Sequence, residues 1–276
     1  MNPASVDAVS HLELVGVTCR FGGLTAVDDL SVAIARATVH GVIGPNGAGK
    51  STAFNLISGL TPVSAGRILL EGRDITRLSI ERRVGHGICR TFQVPRLFEE
   101  MTTLETVMVG RHRHGRVGIF GSIVSLGAKL REEKAIQADA QALLAAVGLE
   151  REGATEVRHL PYGKRRLLEI GRALATEPSV LLIDEVTSGL NPVETEAVGA
   201  LIRRLVAGGL TVVLVEHDMR FVMGLCDRIS VMNFGAKIAE GTAREIVADD
   251  AVITAYLGRP TRARERRPSN RQGIAT

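Results

Sequence analysis

The chain has 276 residues, 45% hydrophobic and 23% charged, which are the proportions of an ordinary globular protein and not those of a disordered chain or a membrane-spanning body. No apolar run approaches the ~18 residues that cross a bilayer; the longest uncharged stretch, Val117 to Ala128, is too short and holds three glycines, and Met1 to Ser10 lacks the basic start and apolar core of a secretory signal. The formal charge of +4 sits at one end, with six arginines against one glutamate between Gly258 and Thr276, so the remainder is close to neutral and a general nucleic-acid or lipid surface is not indicated.

Taken in order, a flexible leader over 1–10 gives way to His11–Thr18, whose alternation predicts a strand, broken by Phe21-Gly22-Gly23. A second strand is expected at Ser31–Ile34. Phe21 stands in a glycine-flanked turn, where an aromatic face can either stack on a nucleotide base or simply pack. The apolar run Val39–Ile43 then leads into Gly44-Pro45-Asn46-Gly47-Ala48-Gly49-Lys50-Ser51, which fits G-x-x-x-x-G-K-[ST] with a strand before it and a helix pattern from Thr52 onward. The glycines Gly44, Gly47 and Gly49 let backbone N–H groups converge on phosphate oxygens, and the helix beginning near Lys50 turns its positive dipole end onto the same charge. In that cradle Lys50 reaches the terminal phosphates of a nucleotide and the Ser51 hydroxyl holds Mg²⁺.

Beyond Gly59-Leu60-Thr61-Pro62, the glycine-bounded segment Gly66–Gly72 predicts a strand that joins the N-terminal strands in an antiparallel layer. Gly87–Phe92 reads as another short strand, delivering Gln93, whose amide oxygen can accept a metal or a water, to a proline-marked loop. From Met101 to about Leu160 the pattern is helical, beginning at Thr103 and including Glu132–Val147 with Ile136, Leu143, Leu144 and Val147 apolar. His112 and His114 have arginine neighbours and no carboxylate or cysteine partner nearby, which speaks against a metal. Leu160-Pro161-Tyr162-Gly163-Lys164-Arg165-Arg166 opens a helix with three basic residues in its first turn. That arrangement opposes the dipole, so either an anion sits there or the turn faces solvent.

Ser179–Ile183 is a buried-strand pattern ending in Asp184 and Glu185, and open α/β sheets put ligand chemistry at such strand ends. Asp184 suits a place beside Mg²⁺, and Glu185 can orient or deprotonate an attacking water. Asn191-Pro192-Val193-Glu194 supplies a complete helix N-cap. The last central strand, Thr211–Val215, ends in Glu216-His217-Asp218, where His217 can either hydrogen-bond a γ-phosphate or pack as an ordinary histidine. Val231–Thr242 is expected to close as a hairpin around Phe234-Gly235, followed by a helix to about Leu257. Cys19, Cys89 and Cys226 form no C-x-x-C, which argues for a reducing compartment and against structural zinc.

Together these residues resemble the nucleotide-binding subunit of ABC transporters over His11 to Leu257. Gly44–Ser51 matches the Walker A motif, Gln93 the Q-loop, Leu160–Lys164 the signature, Leu181–Glu185 Walker B, Ser188–Asn191 the D-loop and His217 the switch histidine. The finer likeness is to LivG-type subunits of branched-chain (hydrophobic) amino acid importers. It rests on Arg90-Thr91-Phe92-Gln93 followed by Arg96-Leu97-Phe98, the Tyr162-Gly163 form of the signature, Gly189–Pro192 with Glu194-Thr195, Val215–Met219, and Ala255-Tyr256-Leu257-Gly258.

The resemblance implies an α/β fold: a RecA-like P-loop NTPase core, an N-terminal antiparallel β layer and an inserted helical subdomain at about 95–175, all within 11–257, then a basic disordered tail at 258–276. It implies ATP and Mg²⁺. Phe21 lies under the adenine; Gly44, Asn46, Gly47, Gly49, Lys50, Ser51 and Thr52 hold the nucleotide, with Tyr162, Gly163 and Lys164 coming from a second chain. Ser51, Gln93 and Asp184 face the metal, and Glu185, His217 and Gln93 serve hydrolysis. Partners implied are permease subunits, a second ATP-binding subunit in a homo- or heterodimer and, indirectly, a solute-binding protein, at the cytoplasmic face of the inner membrane. Leu160-Pro161-Tyr162-Gly163 departs from the usual Leu-Ser-Gly-Gly and lacks its hydroxyl; Val186 and Asn191 also depart, which implies a retuned ATPase rate. Competing readings are a lipopolysaccharide-type exporter ATPase, opposed by the signature and the long insert, and a soluble ABC ATPase on nucleic acid or the ribosome, opposed by the single ATP module and the lack of a long coiled coil.

Overall fold

The computed structural model describes residues 10–91, 97–111 and 126–257. The leader before Ser10, the segment containing Phe92, Gln93 and Arg96, the histidines His112 and His114, and the tail from Gly258 lie outside the described residues.

Alternating burial defines the first layer. Strand β1 (Ser10–Phe21) turns Leu12, Leu14, Val17 and Cys19 inward, and β2 (Leu24–Ala35) turns Val27, Leu30, Val32 and Ile34 to the same side. The second strand is longer than the expected Ser31–Ile34. Gly22-Gly23 does not end the sheet but makes a two-residue hairpin, closed by Phe21 opposite Leu24. Strands β3 (Val39–Ile43) and β4 (Ala65–Leu70) follow on either side of helix α1 (Lys50–Ser58), and β4 pairs antiparallel with β1 as predicted. A two-residue strand β5 (Arg73–Asp74) completes the sheet order β2-β1-β4-β5 among the described residues.

The second layer is built on parallel pairing. After α2 (Ile80–Gly85) come β6 (Ile88–Arg90), α3 (Thr103–Arg111), α4 (Leu126–Ala146) and α5 (Tyr162–Leu174). Then follow β7 (Val180–Asp184), α6 (Pro192–Ala207), β8 (Thr211–Val215) and α7 (Met219–Leu225). The hairpin β9 (Arg228–Asn233) and β10 (Ala236–Gly241) and the short helices α8 (Ala243–Val247) and α9 (Asp250–Leu257) end the described chain. The sheet order is β10-β9-β3-β8-β7-β6, with only β10 antiparallel to its neighbour. Parallel strands buried on both faces read as continuous apolar runs, and all five residues of β3, β7 and β8 are buried.

Two cores sandwich this sheet. On one face Leu182, Val213 and Val215 meet α1, through Phe54 and Leu56, and the inward side chains of β1 and β2. On the other, Leu181, Ile183, Val212 and Leu214 meet α6 and the helical segment, through Leu144, Val147 and Leu168. Helix α4 begins at Leu126, earlier than the expected Glu132, and buries Ile136, Ala140 and Leu144 at successive i+4 steps. The predicted cap of α6 is present in full: the Asn191 side chain accepts from Glu194 N at 3.0 Å and the Glu194 carboxylate accepts from Asn191 N at 2.9 Å. No helix among the described residues is long and apolar enough to cross a membrane.

Candidate active site

Parallel pairing of β3, β8, β7 and β6 places their C-terminal ends along one edge, the position at which such sheets carry ligand sites. The loop after β3 is the predicted cradle. Gly44 and Gly49 have φ of 151° and 97°, and neither has room for a side chain: a Cβ would lie 2.1 Å from the Met232 carbonyl oxygen at Gly44 and 2.5 Å from that of Ala26 at Gly49. Helix α1 starts at Lys50 with no side-chain cap and no acidic residue in its first turn, leaving that end for an anion. Asn46, Gly47 and Ser51 are exposed, and Thr52 is half-buried.

Lys50 is tucked into the loop, its Nζ donating to Gly44 O at 2.7 Å and Pro45 O at 2.9 Å. Burial pulls its pKa down while the charges of Glu185 and Asp184 push it up, so both acids predicted from the sequence lie within electrostatic reach of this ammonium. At the far end of α1 the buried Arg83 donates from Nη1 to Ile57 O at 2.7 Å and to Leu56 O, from Nη2 to Thr76 O at 2.7 Å and from Nε to Leu78 O at 3.1 Å. A cation on the last carbonyls complements the helix dipole and fixes the axis that aims Lys50.

Asp184 ends β7 and is 6% exposed. It is not open to a metal alone, as the sequence suggests: Arg90 Nη2 lies 2.7 Å from its Oδ2, an ion pair that closes across from β6. Glu185 follows with φ of 46°, a left-handed conformation that a residue with a side chain adopts only when held. Among the bonds that hold it, Glu185 N donates to Val215 O at 2.9 Å, and Glu185 O accepts from Ser188 N at 3.3 Å and from Arg166 Nη2 at 3.4 Å.

Beside it, Glu216 is 1% exposed and accepts from Thr187 N and Thr187 Oγ1, both at 2.8 Å, and from His217 N at 3.3 Å. Burial pushes the Glu216 pKa up, and the bonds from Thr187 offset only part of that rise. The loop bearing Glu185 is thereby fastened to the loop bearing His217. The His217 ring is not packed, its side chain being 62% exposed with Nδ1 3.8 Å from Glu216 Oε2.

The segment opening α5 is not a free basic turn. Lys164 pairs with Glu152, Arg165 reaches Arg158 O at 2.7 Å and Leu160 O at 3.0 Å, and Arg166 is 2% exposed beside Glu169. The expectation of three side chains turned to an anion or to solvent thus fails for Arg166, which is neutralised inside the protein and stacks 5.3 Å from the Tyr162 ring centroid. Tyr162 also lies where a Cβ on Gly189 would meet its ring at 3.0 Å, and Glu194 lies 2.4 Å from where a Gly163 Cβ would be. The signature segment is therefore packed against 189–194, its own D-loop and the start of α6. Phe21 stands 52% exposed at the end of β1 and is no core residue. Gln93 lies outside the described residues, although β6 carries the chain to Thr91, whose N donates to Leu182 O at 2.9 Å.

A family model for the ABC transporter matches residues 27–188, more than half of the chain. The chain belongs to the ATP-binding cassettes of the ABC transporter family. A second model, the branched-chain amino acid ATP-binding cassette transporter, matches residues 236–260 of the cassette. The cassette is 41% identical over 248 residues to the high-affinity branched-chain amino acid transport ATP-binding protein BraF of Pseudomonas aeruginosa, covering 90% of the one and 97% of the other. It is 38% identical, with the same coverage, to LivG of Escherichia coli, which carries the same description. Among solved structures it is similar to a nucleotide-free ATP-binding cassette from an ABC transporter, with TM-score 0.79, 30% identity and coverage of 90% and 98%. The ADP conformation of such a cassette gives TM-score 0.80, 30% identity and coverage of 90% and 99%. The cassette is thus an ATP-binding protein and a transport-coupled ATPase.

Three contributors had no role assigned from sequence. Arg90 ends a short apolar strand, and Glu216 directly follows another; a charge at such a place is a signal that it is buried against a partner. Tyr256 of α9 lies close enough to the Gly44 backbone for that N–H to oppose the rise in its pKa caused by burial, which places the C-terminal helix beside the cradle.

Proposed function

We propose that the cassette hydrolyses ATP at the cytoplasmic face of a membrane to drive uptake of branched-chain or other hydrophobic amino acids. The observation that carries this reading is similarity along the whole cassette to transport ATP-binding proteins for those solutes, including the separate match at 236–260. Permease subunits, a second ATP-binding subunit and a solute-binding protein are the partners such a role requires.

The residues fit a magnesium nucleotide: Gly44 and Gly49 let the loop pack closer to the Met232 and Ala26 carbonyls than any side chain allows, α1 offers an uncapped N-terminus, and Lys50 lies within electrostatic reach of Glu185 and Asp184. In this reading Lys50, the loop amides of Gly44–Gly49 and Thr52 bind the phosphates, Asn46 lines the loop, and Phe21 lies under the adenine. Ser51, Asp184 and Gln93 would hold magnesium, which when bound offsets charge on the phosphates. Glu185, held with its backbone in the left-handed region, orients and deprotonates the attacking water, and His217 hydrogen-bonds the γ-phosphate. Tyr162, Gly163 and Lys164 approach the nucleotide of a second chain, and the Gly163 N–H and the α5 dipole replace the missing signature hydroxyl.

The test is uptake of labelled leucine, isoleucine and valine by cells with and without the gene, alongside purification of the tagged chain from detergent-solubilised membranes. Loss of uptake and recovery of permease subunits are expected. Unchanged uptake of all three, or recovery of ribosomal or DNA-bound proteins with no membrane partner, would overturn the reading.

A further inference from the structure

Arg90 is the last residue of β6, and its guanidinium joins three elements that each carry part of the site. Nη2 lies 2.7 Å from Asp184 Oδ2 on β7, and Nη1 lies 2.6 Å from Asn55 Oδ1 and 3.5 Å from Ser58 Oγ on α1. The cation sits 5.6 Å from the Phe54 ring centroid, and the paired side chains are only 10% and 8% exposed. A planar fork with fixed donors is what such a three-way contact requires, and an ammonium would not reproduce it.

We propose that Arg90 is a positioning residue that sets how tightly Asp184 holds magnesium. The inference rests on the reading of Asp184 as the carboxylate that faces the metal. Burial demands a counter-charge for Asp184, and Arg90 supplies it while orienting the carboxylate toward α1. The same positive charge repels any second cation approaching Asp184, and it does so in a poorly screened interior. Arg90 therefore trades magnesium affinity for a carboxylate whose place is set before the metal arrives.

The experiment is titration of magnesium chloride into the full-length chain loaded with a fluorescent ADP, reading the half-saturating magnesium concentration; ADP affinity in EDTA and thermal stability are recorded in parallel. Asp184→Asn comes first. If it leaves the magnesium dependence unchanged, Asp184 does not face the metal and the underlying reading fails together with this inference. If it weakens magnesium, Arg90→Met becomes decisive: its straight stem can still pack on Phe54, but the charge is gone. The half-saturating concentration is expected to fall about fivefold, with ADP affinity in EDTA unchanged. Arg90→Gln, polar but uncharged, is expected to follow Arg90→Met, whereas Arg90→Lys, which keeps the charge but not the planar fork, should fall between Arg90→Met and the wild type. Unchanged or weaker magnesium binding in both uncharged variants would show that Arg90 only holds the fold together.

Discussion

A carboxylate buried to the extent of Glu216 needs donors, and Thr187 supplies two of its three. Thr187→Val removes the hydroxyl and keeps the shape, leaving one of those acceptor sites unmet at a cost of about 1–3 kcal/mol. We expect a fall in stability of that size in urea unfolding, together with slower hydrolysis, because the loops of Glu185 and His217 keep only the backbone bond from Thr187 N to Glu216; an unchanged rate would separate the hydroxyl bond from function. At this scale the sequence was legible where one residue type serves one geometry. Gly44, Gly49, Lys50 and Asp184 are where spacing places them, and Asn191 and Glu194 form the cap read from their order. Arg90–Asp184 and the bonds of Arg83 to α1 were not legible, since Asp184 is 94 residues from Arg90 and the α1 carbonyls are 26 and 27 residues from Arg83, and no local pattern records such a pairing.

Helix α1 shows what an element needs beyond its own residues. It is nine residues long, below the ~12 at which an isolated helix is even marginal, so its stability comes from burial of Phe54, Leu56 and Ile57 and from its ends. Gly59 closes it in the left-handed conformation, and Arg83 crosses from α2 to bind its last carbonyls. Arg83→Met should cost about 2–4 kcal/mol in urea unfolding, since several buried carbonyls lose a charged donor. ADP affinity should weaken with it as the helix end frays; a variant as stable as the wild type would remove Arg83 from this role. Strands with clean apolar runs, such as β7 and β8, were readable, and so was the β9–β10 hairpin. The two-residue β5, the six-residue α2 and the seven-residue α7 were not, because elements this short are held by the surrounding packing and show no period of their own.

At the scale of the whole molecule, the parallel sheet buries His40, which is 2% exposed and bonded to Ser230 Oγ at 2.9 Å. Burial drives its pKa down from 6.5 to about 4, with the Glu240 charge opposing and those of Arg228 and Lys237 adding. The folded value lies below the unfolded one, so the unfolded chain binds the proton more readily. The contribution is therefore full above 6.5 and is lost as pH falls toward about 4. His40→Gln should lose about 2 kcal/mol less stability than the wild type between about pH 7 and about pH 5; equal losses would show that His40 is not what titrates. The layered α/β architecture was legible because its strands and glycine turns are locally encoded. The packing of Tyr162 on Gly189 and of Glu194 against Gly163 was not, because it depends on where whole helices settle.

In the proposed mechanism two chains enclose ATP between one chain's cradle and the other's signature segment, with Glu185 activating the water. Light scattering of Glu185→Gln with ATP and magnesium, paired with its hydrolysis rate, tests it most directly. A stable ATP-dependent dimer with hydrolysis reduced at least about 100-fold is the expected result. A chain that stays monomeric with ATP, or one that hydrolyses at the wild-type rate, would contradict the account.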